Sequence, residues 1–330
     1  MQFVRLSGTP SPRRRRAILS GALTLASLLA GCLNLDSFLF SDEALDSYSY
    51  DSYDGERECE TYLAVAGPID PSLIHEVTFP SGSETIYGEF LHTAAACDTG
   101  DTLILYCHGK SDHMDRYWPR TRLLYDAGFD SAAHPSRYPV LAFDYRGFGR
   151  STGEPTEEGL YADGAAALLF IREHLGDPKV MVYTYSLGSL VGCKLAADDT
   201  EGRILRLMME APVGSVTAIV SDAAYLDIPG SMLSTYEGNN VERIKAVTAP
   251  YLWLHGTNDG TLAIETHGQP IWDNYAGPEG AAVVVKGAGH RDVPETISAD
   301  FRGYQRIVAS FIQGREQDDG VADLFTEFKP

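Results

Sequence analysis

The sequence predicts an α/β fold, a doubly wound and mostly parallel sheet of about eight strands with helices on both faces. Three observations predict it. Short continuous apolar runs recur, TLILYC at Thr102–Cys107 being the clearest, and such runs suit strands buried on both faces. They alternate with helical patterns, as parallel crossovers require. Two segments of alternating polarity come first, as an antiparallel pair at one edge would. Setting aside the unusual ends of the 330-residue chain leaves about 270 residues, enough for one large domain with a full core.

In chain order, the domain starts near Cys59–Ile69. Ile74–Phe79 and Thr85–His92 alternate as strands and are joined at Pro80-Ser81-Gly82-Ser83. Thr102–Cys107 is the first buried strand, Tyr117–Ala127 has helical spacing, and Val140–Phe143 is a short second buried strand. Glu157–Leu175 is a long amphipathic helix, ended by Gly176 with Pro178 beyond. Val180–Tyr185 is a strand leading into the helix Leu187–Ala197. Leu205–Met209, Tyr251–Leu254 and Val283–Val285 complete the strands, and Ser298–Ile312 is the closing helix. The segment Ala211–Ala249 must partly cross back over the sheet, which leaves room only for a short lid insertion. Its Tyr225, Leu226, Ile228, Met232, Leu233 and Tyr236 suit either a short apolar flap or ordinary helix packing.

The ends read differently. Arg13–Arg16 form a basic region and Ile18–Ala30 a short apolar run, too short to span a bilayer comfortably. The run ends in Leu29-Ala30-Gly31-Cys32, which resembles a bacterial lipobox. That resemblance implies removal of residues 1–31, lipidation of Cys32, and an exported protein held on the bacterial cell membrane or outer membrane. The competing reading is a plain secretory signal; the arginines also suit twin-arginine export. Residues 32–60 are rich in Ser, Asp, Glu and Tyr and are expected to form a solvated tether. The catalytic domain is then 61–315, followed by an acidic C-terminal tail, 316–330.

The formal net charge is −20, which argues against nucleic acid and anionic membrane surfaces as partners. Four cysteines remain after Cys32. Cys107 and Cys193 lie in apolar elements and read as small buried core residues. Cys59 and Cys97 lie in polar, loop-like sequence, and a Cys59–Cys97 disulfide is the expected pairing. None has zinc-ligand spacing, so no metal site is expected.

The chemistry gathers around Thr184-Tyr185-Ser186-Leu187-Gly188. This small-x-Ser-x-Gly turn between strand and helix has the form of a nucleophile elbow. A serine needs a base within reach, and the base needs a group to fix its tautomer. Gly287-Ala288-Gly289-His290 directly follows the last buried strand, and its glycines could let a loop swing the imidazole over Ser186. His255-Gly256-Thr257-Asn258-Asp259 follows the strand before it, placing Asp259 to accept from the imidazole. Ser186, Asp259 and His290 thus stand in order, each at the carboxyl end of a strand. The oxyanion needs two amide donors. Leu187 is one; Lys110, after His108-Gly109 at the end of TLILYC, is the other, with its side chain expected in solvent. His108 has a competing reading as base but precedes the serine and suits a structural turn, as does His255. His75, His92, His113, His134, His174 and His267 show no partner pattern.

From about Ile69 to Gln313 the chain resembles the α/β-hydrolase superfamily. Asp144-Tyr145-Arg146-Gly147-Phe148-Gly149-Arg150-Ser151 is similar to the D-x-R-G-x-G-x-S turn of many members, a structural feature there. The small-lid group, with serine-aminopeptidase-like, monoglyceride-lipase-like and depalmitoylase-like members, is the nearest flavour. The resemblance implies Ser186 as nucleophile, Asp259 as acid, His290 as base, and Lys110 and Leu187 as oxyanion donors. Thr184 departs from the usual glycine and makes the elbow tighter. The expected function is a serine hydrolase of carboxylic esters or thioesters, acting on a small-molecule acyl substrate with no cofactor. Peptidase or acyltransferase chemistry would use the same residues. A non-catalytic binding lipoprotein on this fold is the reading from another class.

Overall fold

The strands predicted from apolar runs and alternation pair into one sheet, in a computed structural model that describes residues 36–98, 100–128, 137–224, 234–318 and 320–329. The signal residues, Cys32, His134, and Tyr225, Leu226, Ile228, Met232 and Leu233 lie outside the described residues. The sheet strands are β1 Ile74–Ser81, β2 Glu84–Leu91, β3 Thr102–Cys107, β4 Val140–Phe143, β5 Lys179–Tyr185, β6 Ile204–Glu210, β7 Tyr251–Gly256, β8 Gly280–Val285 and β9 Glu327–Lys329. Their order is β9-β8-β7-β6-β5-β3-β4-β2-β1. From β4 through β8 the neighbours run parallel, while β1 and β2 form the expected antiparallel edge pair and β9 pairs antiparallel with β8.

Side chains along a strand point alternately to the two faces, so each buried strand feeds two cores. In β3, Leu103, Leu105 and Cys107 enter one core, and Ile104 and Tyr106 enter the other. All five are inaccessible to solvent, which is why TLILYC lacks polar positions. The first core is closed by helices α2 Glu157–His174 and α3 Gly188–Asp198. The second is closed by α1 Met114–Tyr125 and α5 Arg302–Gln313. Helix α4, Val216–Ala224, begins the crossover after β6. Thr156 caps α2, its hydroxyl accepting from the Gly159 amide at 3.0 Å. The closing helix, expected from Ser298, starts instead at Arg302, after Ser298 in extended conformation and Phe301 at a left-handed φ of 61°, and a separate short helix, Val293–Ile297, precedes it.

Three expectations are corrected. Residues 36–60 are not a solvated tether. Ser41–Asp42 pairs in parallel with Ser111–Asp112. Asp115 accepts the Ser49 and Tyr50 amides, each at 2.7 Å, and Asp51 accepts the Trp118 indole N–H at 2.7 Å. Tyr48 is buried and donates to Asp144 at 2.8 Å. The acids and tyrosines that make this segment polar are the partners of groups on α1 and on the turn after β4. The C-terminal tail is also built in, since β9 extends the sheet and Glu316 pairs with Arg206 at 2.8 Å. Finally, Cys59 and Cys97 are free thiols. The Cys59 Sγ faces the carbonyl of Arg291 at 3.8 Å, whereas the Cys97 amide donates to Leu175 at the end of α2, near the amino end of β5. The two thiols therefore belong to opposite ends of the sheet. Burial pushes both up to about 12.

The turn Asp144–Ser151 is structural, as expected. Arg146 and Asp163 form a close pair at 2.7 Å, and the Ser151 hydroxyl donates to the Asp144 carbonyl at 2.7 Å. Near it, Glu89 of β2 is buried, and both its carboxyl oxygens lack a hydrogen-bond partner. Burial, and then the charges of Asp115, Asp144 and Glu76, raise its pKa well above 4.5. A raised folded value means that its favourable contribution is complete below the unfolded pKa and is lost as pH rises through the folded one. Glu89→Gln is therefore expected to stabilise the protein by about 1–3 kcal/mol at pH 8, with no gain at pH 4. Urea unfolding at the two pH values measures this.

Candidate active site

In a doubly wound sheet the strand order reverses about one strand, and loops at the carboxyl ends diverge there to leave a crevice. Here the chain passes from β3 outward to β4 on one side, then to β5 on the other. Ser186 follows β5 directly at this point. Its φ is 53°, a left-handed conformation costly for a residue with a Cβ. The strand stops and the helix starts within that single residue. The Ser186 amide donates to the carbonyl of Glu210, at the end of the neighbouring β6, at 3.1 Å.

Two glycines make the turn sterically possible. A Cβ at Gly188 would lie 2.1 Å from the carbonyl oxygen of Cys107 and 2.6 Å from that of His108. The second is Gly192, one turn along α3. A Cβ there would lie 2.2 Å from the Thr184 Cγ2. The methyl that departs from the usual glycine is thus accommodated by a missing side chain on the facing helix. The Thr184 hydroxyl reaches the Met208 carbonyl at 3.4 Å.

The structure brings Ser186, His290 and Asp259 together. His290 Nε2 lies 3.0 Å from the Ser186 Oγ, and His290 Nδ1 lies 2.7 Å from an Asp259 carboxylate oxygen. With Nδ1–H donating to Asp259, the Nε2 lone pair faces the serine hydroxyl. The other Asp259 oxygen accepts the amides of Thr261 and Leu262 at 2.9 and 2.8 Å. Burial alone would raise the Asp259 pKa. Hydrogen bonds from His255, His290 and the Leu262 amide outweigh it and hold the carboxyl well below its usual range.

The glycines before His290 do not leave a swinging loop. Gly287 donates to the Thr257 hydroxyl at 2.9 Å, Asn258 donates to the Ala288 carbonyl at 2.8 Å, and Gly289 donates to Asp292 at 2.6 Å. Two further contacts hold the loop from below. The Tyr185 hydroxyl donates to the His290 carbonyl at 3.2 Å, and Arg120 donates to the Arg291 carbonyl at 3.3 Å. Arg120 is fully buried and ion-paired with fully buried Glu210 at 2.6 Å, and the hydroxyls of Tyr183 and Tyr304 donate to the same carboxylate at 3.0 and 2.7 Å. Glu210 therefore meets the serine through its carbonyl and the histidine loop through its side chain and Arg120.

His255 is more than a turn residue. Its Nδ1 accepts the Trp253 indole N–H at 3.2 Å, which leaves the proton on Nε2. Nε2 lies 2.8 Å from the Leu262 carbonyl and 3.1 Å from the Asp259 oxygen that also faces His290. Trp253 and His255 are two residues apart in β7, hence on one face of it, and that spacing was a usable sequence signal. His108, by contrast, is inside the structural turn. Its Nε2 lies 3.1 Å from Asp144 and its ring stacks on Tyr117. His267 does have partners, accepting the Gly214 amide at 3.0 Å through Nδ1 and facing Asp222 at 3.2 Å through Nε2.

Ser186 and His290 open onto a cleft of about 460 Å³ that Lys110 and Leu187, the expected amide donors, also line. The Lys110 side chain is half-buried at the cleft rather than free in solvent, and burial lowers its pKa. Leu39, Val213, Ile219 and Leu262 give the cleft apolar walls. Sequence reasoning missed Leu39 and Glu58, both in the segment taken for a tether. Glu58 is buried, faces Arg291 at 3.2 Å and Arg116 at 3.5 Å, and lies 3.3 Å from the Tyr185 hydroxyl, whose one proton it shares with the His290 carbonyl.

Residues 102–239 match the model of the family described as the alpha/beta hydrolase fold. The human protein ABHD12B is 27% identical over 228 residues, which cover 64% of this chain and 60% of that protein. Human alpha/beta hydrolase domain-containing protein 17B is 31% identical over 159 residues, covering 47% of this chain and 51% of its own length. This chain therefore spans about half to three fifths of the length of these relatives. Among solved structures, the Pyrococcus furiosus esterase Pf2001 superposes with a TM-score of 0.59 at 17% identity, over 75% of this chain and 95% of that one. The chain has the α/β-hydrolase fold, and residues 102–239 carry the match to the family of that description.

Proposed function

We propose that this protein is a serine hydrolase that cleaves carboxylic ester or thioester bonds through an acyl-enzyme on Ser186. The observation that carries this reading is the continuous chain from Ser186 Oγ through His290 to Asp259, at 3.0 and 2.7 Å, on the wall of an open cleft. His290 Nε2 removes the serine proton as Oγ attacks the acyl carbon. The oxygen left negative is stabilised by the amides of Leu187 and Lys110. The intermediate collapses with cleavage of the bond to the leaving alcohol or thiol, which departs with the proton held on His290. A water molecule, deprotonated by His290, then attacks the acyl carbon, releases the carboxylic acid and restores Ser186. Asp259 stays ionised and stabilises the imidazolium. The chemistry needs no cofactor.

The acids of the cleft favour esters over peptides with a free amino terminus. Glu58 is engaged by Arg116 and Arg291, and Asp222 by His267, so neither offers an unengaged carboxylate to a substrate ammonium. A panel of p-nitrophenyl esters alongside aminoacyl anilides tests this. Ester turnover at least about a hundredfold above anilide turnover is expected; the reverse order would overturn the ester reading.

We further propose that lipid on Cys32 anchors the protein to a bacterial membrane. Asp36 is four residue steps beyond Cys32, at most about 14 Å of extended chain, so such an anchor would hold the cleft close to the lipid surface. No helix among the described residues is long and apolar enough to cross a membrane. Full-length protein is expected in the membrane fraction and the Cys32→Ser variant in the soluble fraction; identical fractionation would sink the anchor.

A further inference from the structure

We infer that Leu39, brought to the cleft by the amino-terminal segment, is the residue that limits the length of the acyl group, an inference that rests on the ester-hydrolase reading above. Residues 36–42 form a strap fixed at both ends, with Leu39 lining the cleft. At one end Asp36 accepts from the Ser234 hydroxyl, the Thr235 amide and the Thr235 hydroxyl at 2.5, 3.0 and 2.6 Å. At the other, the Ser41 amide donates to the carbonyl of Lys110 at 2.9 Å, on the loop expected to supply an oxyanion donor. Leu39 lies between these anchors and is 2% exposed.

Its side chain has two sides. One faces the cleft that holds Ser186 and His290. The other faces a separate apolar slot of about 10 Å³, lined also by Phe40, Leu160, Leu187, Leu190 and Tyr236. Leu187 follows the nucleophile and borders both spaces, so the slot lies directly behind the reacting centre. An acyl chain attached to Ser186 and running past Leu187 meets Leu39 before it meets the slot. The slot is small and the leucine side chain stands between it and the cleft; removing that side chain would join the two. The walls revealed would be apolar, so added length would be bound rather than merely tolerated. An extra methylene in such a pocket changes discrimination by about tenfold or more.

The test is the profile of kcat/KM over p-nitrophenyl acetate, butyrate and octanoate for the wild type, Leu39→Ala and Leu39→Phe, with thermal unfolding of each. The octanoate-to-acetate ratio is expected to rise at least about tenfold in Leu39→Ala and to fall below wild type in Leu39→Phe. If Leu39→Ala does not fold, Leu39→Val carries the same expectation with a smaller rise. Ratios unchanged within threefold, or displaced in the same direction by the small and the large substitutions, would overturn the proposal. A wild type that hydrolyses no ester and takes no fluorophosphonate on Ser186 would instead defeat the hydrolase reading, and this proposal with it.

Discussion

Ser186→Ala is expected to lower kcat on the order of 10⁴- to 10⁶-fold while leaving the fold intact. On the proposed mechanism the loss is large because the Ser186 hydroxyl oxygen forms the bond to the acyl carbon and its proton is the first that His290 takes up. The substitution also separates chemistry from stability. The backbone at 186 is held at a φ of 53°, which any side chain with a Cβ pays for. Ser186→Gly is expected to be as inactive as Ser186→Ala but more stable by about 1 kcal/mol, since glycine reaches this conformation without strain. Steady-state ester hydrolysis and urea unfolding on the three proteins measure both effects. An active Ser186→Ala would mean that hydrolysis has another centre.

Arg120→Met is expected to cost about 3–5 kcal/mol, a large share of the roughly 5–15 kcal/mol by which domains are stable. Among the described residues, it leaves the buried Glu210 carboxylate with the Tyr183 and Tyr304 hydroxyls as its donors. It also removes the donor to the Arg291 carbonyl, next to His290. On the proposed mechanism, activity at temperatures where the variant remains folded should therefore fall as well, in kcat more than in KM, because the loop carrying His290 is less fixed. Adding Glu210→Met should recover most of the stability, since a pair replaced together leaves no unpaired buried charge. Additive losses in the double variant would contradict this account of the pair.

The parts of the fold that were legible in the sequence are those in which a residue's own environment decides its type. TLILYC and Val140–Phe143 lie where predicted, residue for residue, because burial on both faces excludes polar side chains throughout. β8 begins at Gly280 rather than Val283, since Gly280, Ala281 and Ala282 carry little pattern although they pair with Tyr251, Leu252 and Trp253. β9 was not legible, because three residues with polar ends at a sheet edge have no period to read. The amino-terminal segment misled for a different reason. Its composition suits a solvated chain, yet its Asp and Tyr side chains find partners up to 199 positions away. The complementary signal was in α1, where Arg116, Arg120 and Arg122 are all buried and each requires an acid. Composition shows that acids and bases are present; only the fold shows which ones meet.

The meeting of Ser186, His290 and Asp259 was legible because the proposed chemistry restricts residue types and the sheet restricts their places. Ser186, Asp259 and His290 each stand just beyond a parallel strand, and parallel strands deliver their loops to one edge. The supports were harder to see. Trp253, His255, Arg120 and Glu210 act through contacts across strands and between helices, and no local spacing announces the Arg120–Glu210 pair.

The measurement that tests the central claim most directly is the mass of the folded protein after reaction with a fluorophosphonate, with the modified peptide mapped, for wild type and His290→Ala. The account predicts one adduct per chain, on Ser186, formed in the wild type at least about a hundredfold faster than in His290→Ala. A folded wild type that takes no label, a label on another residue, or equal rates in the two proteins would contradict it.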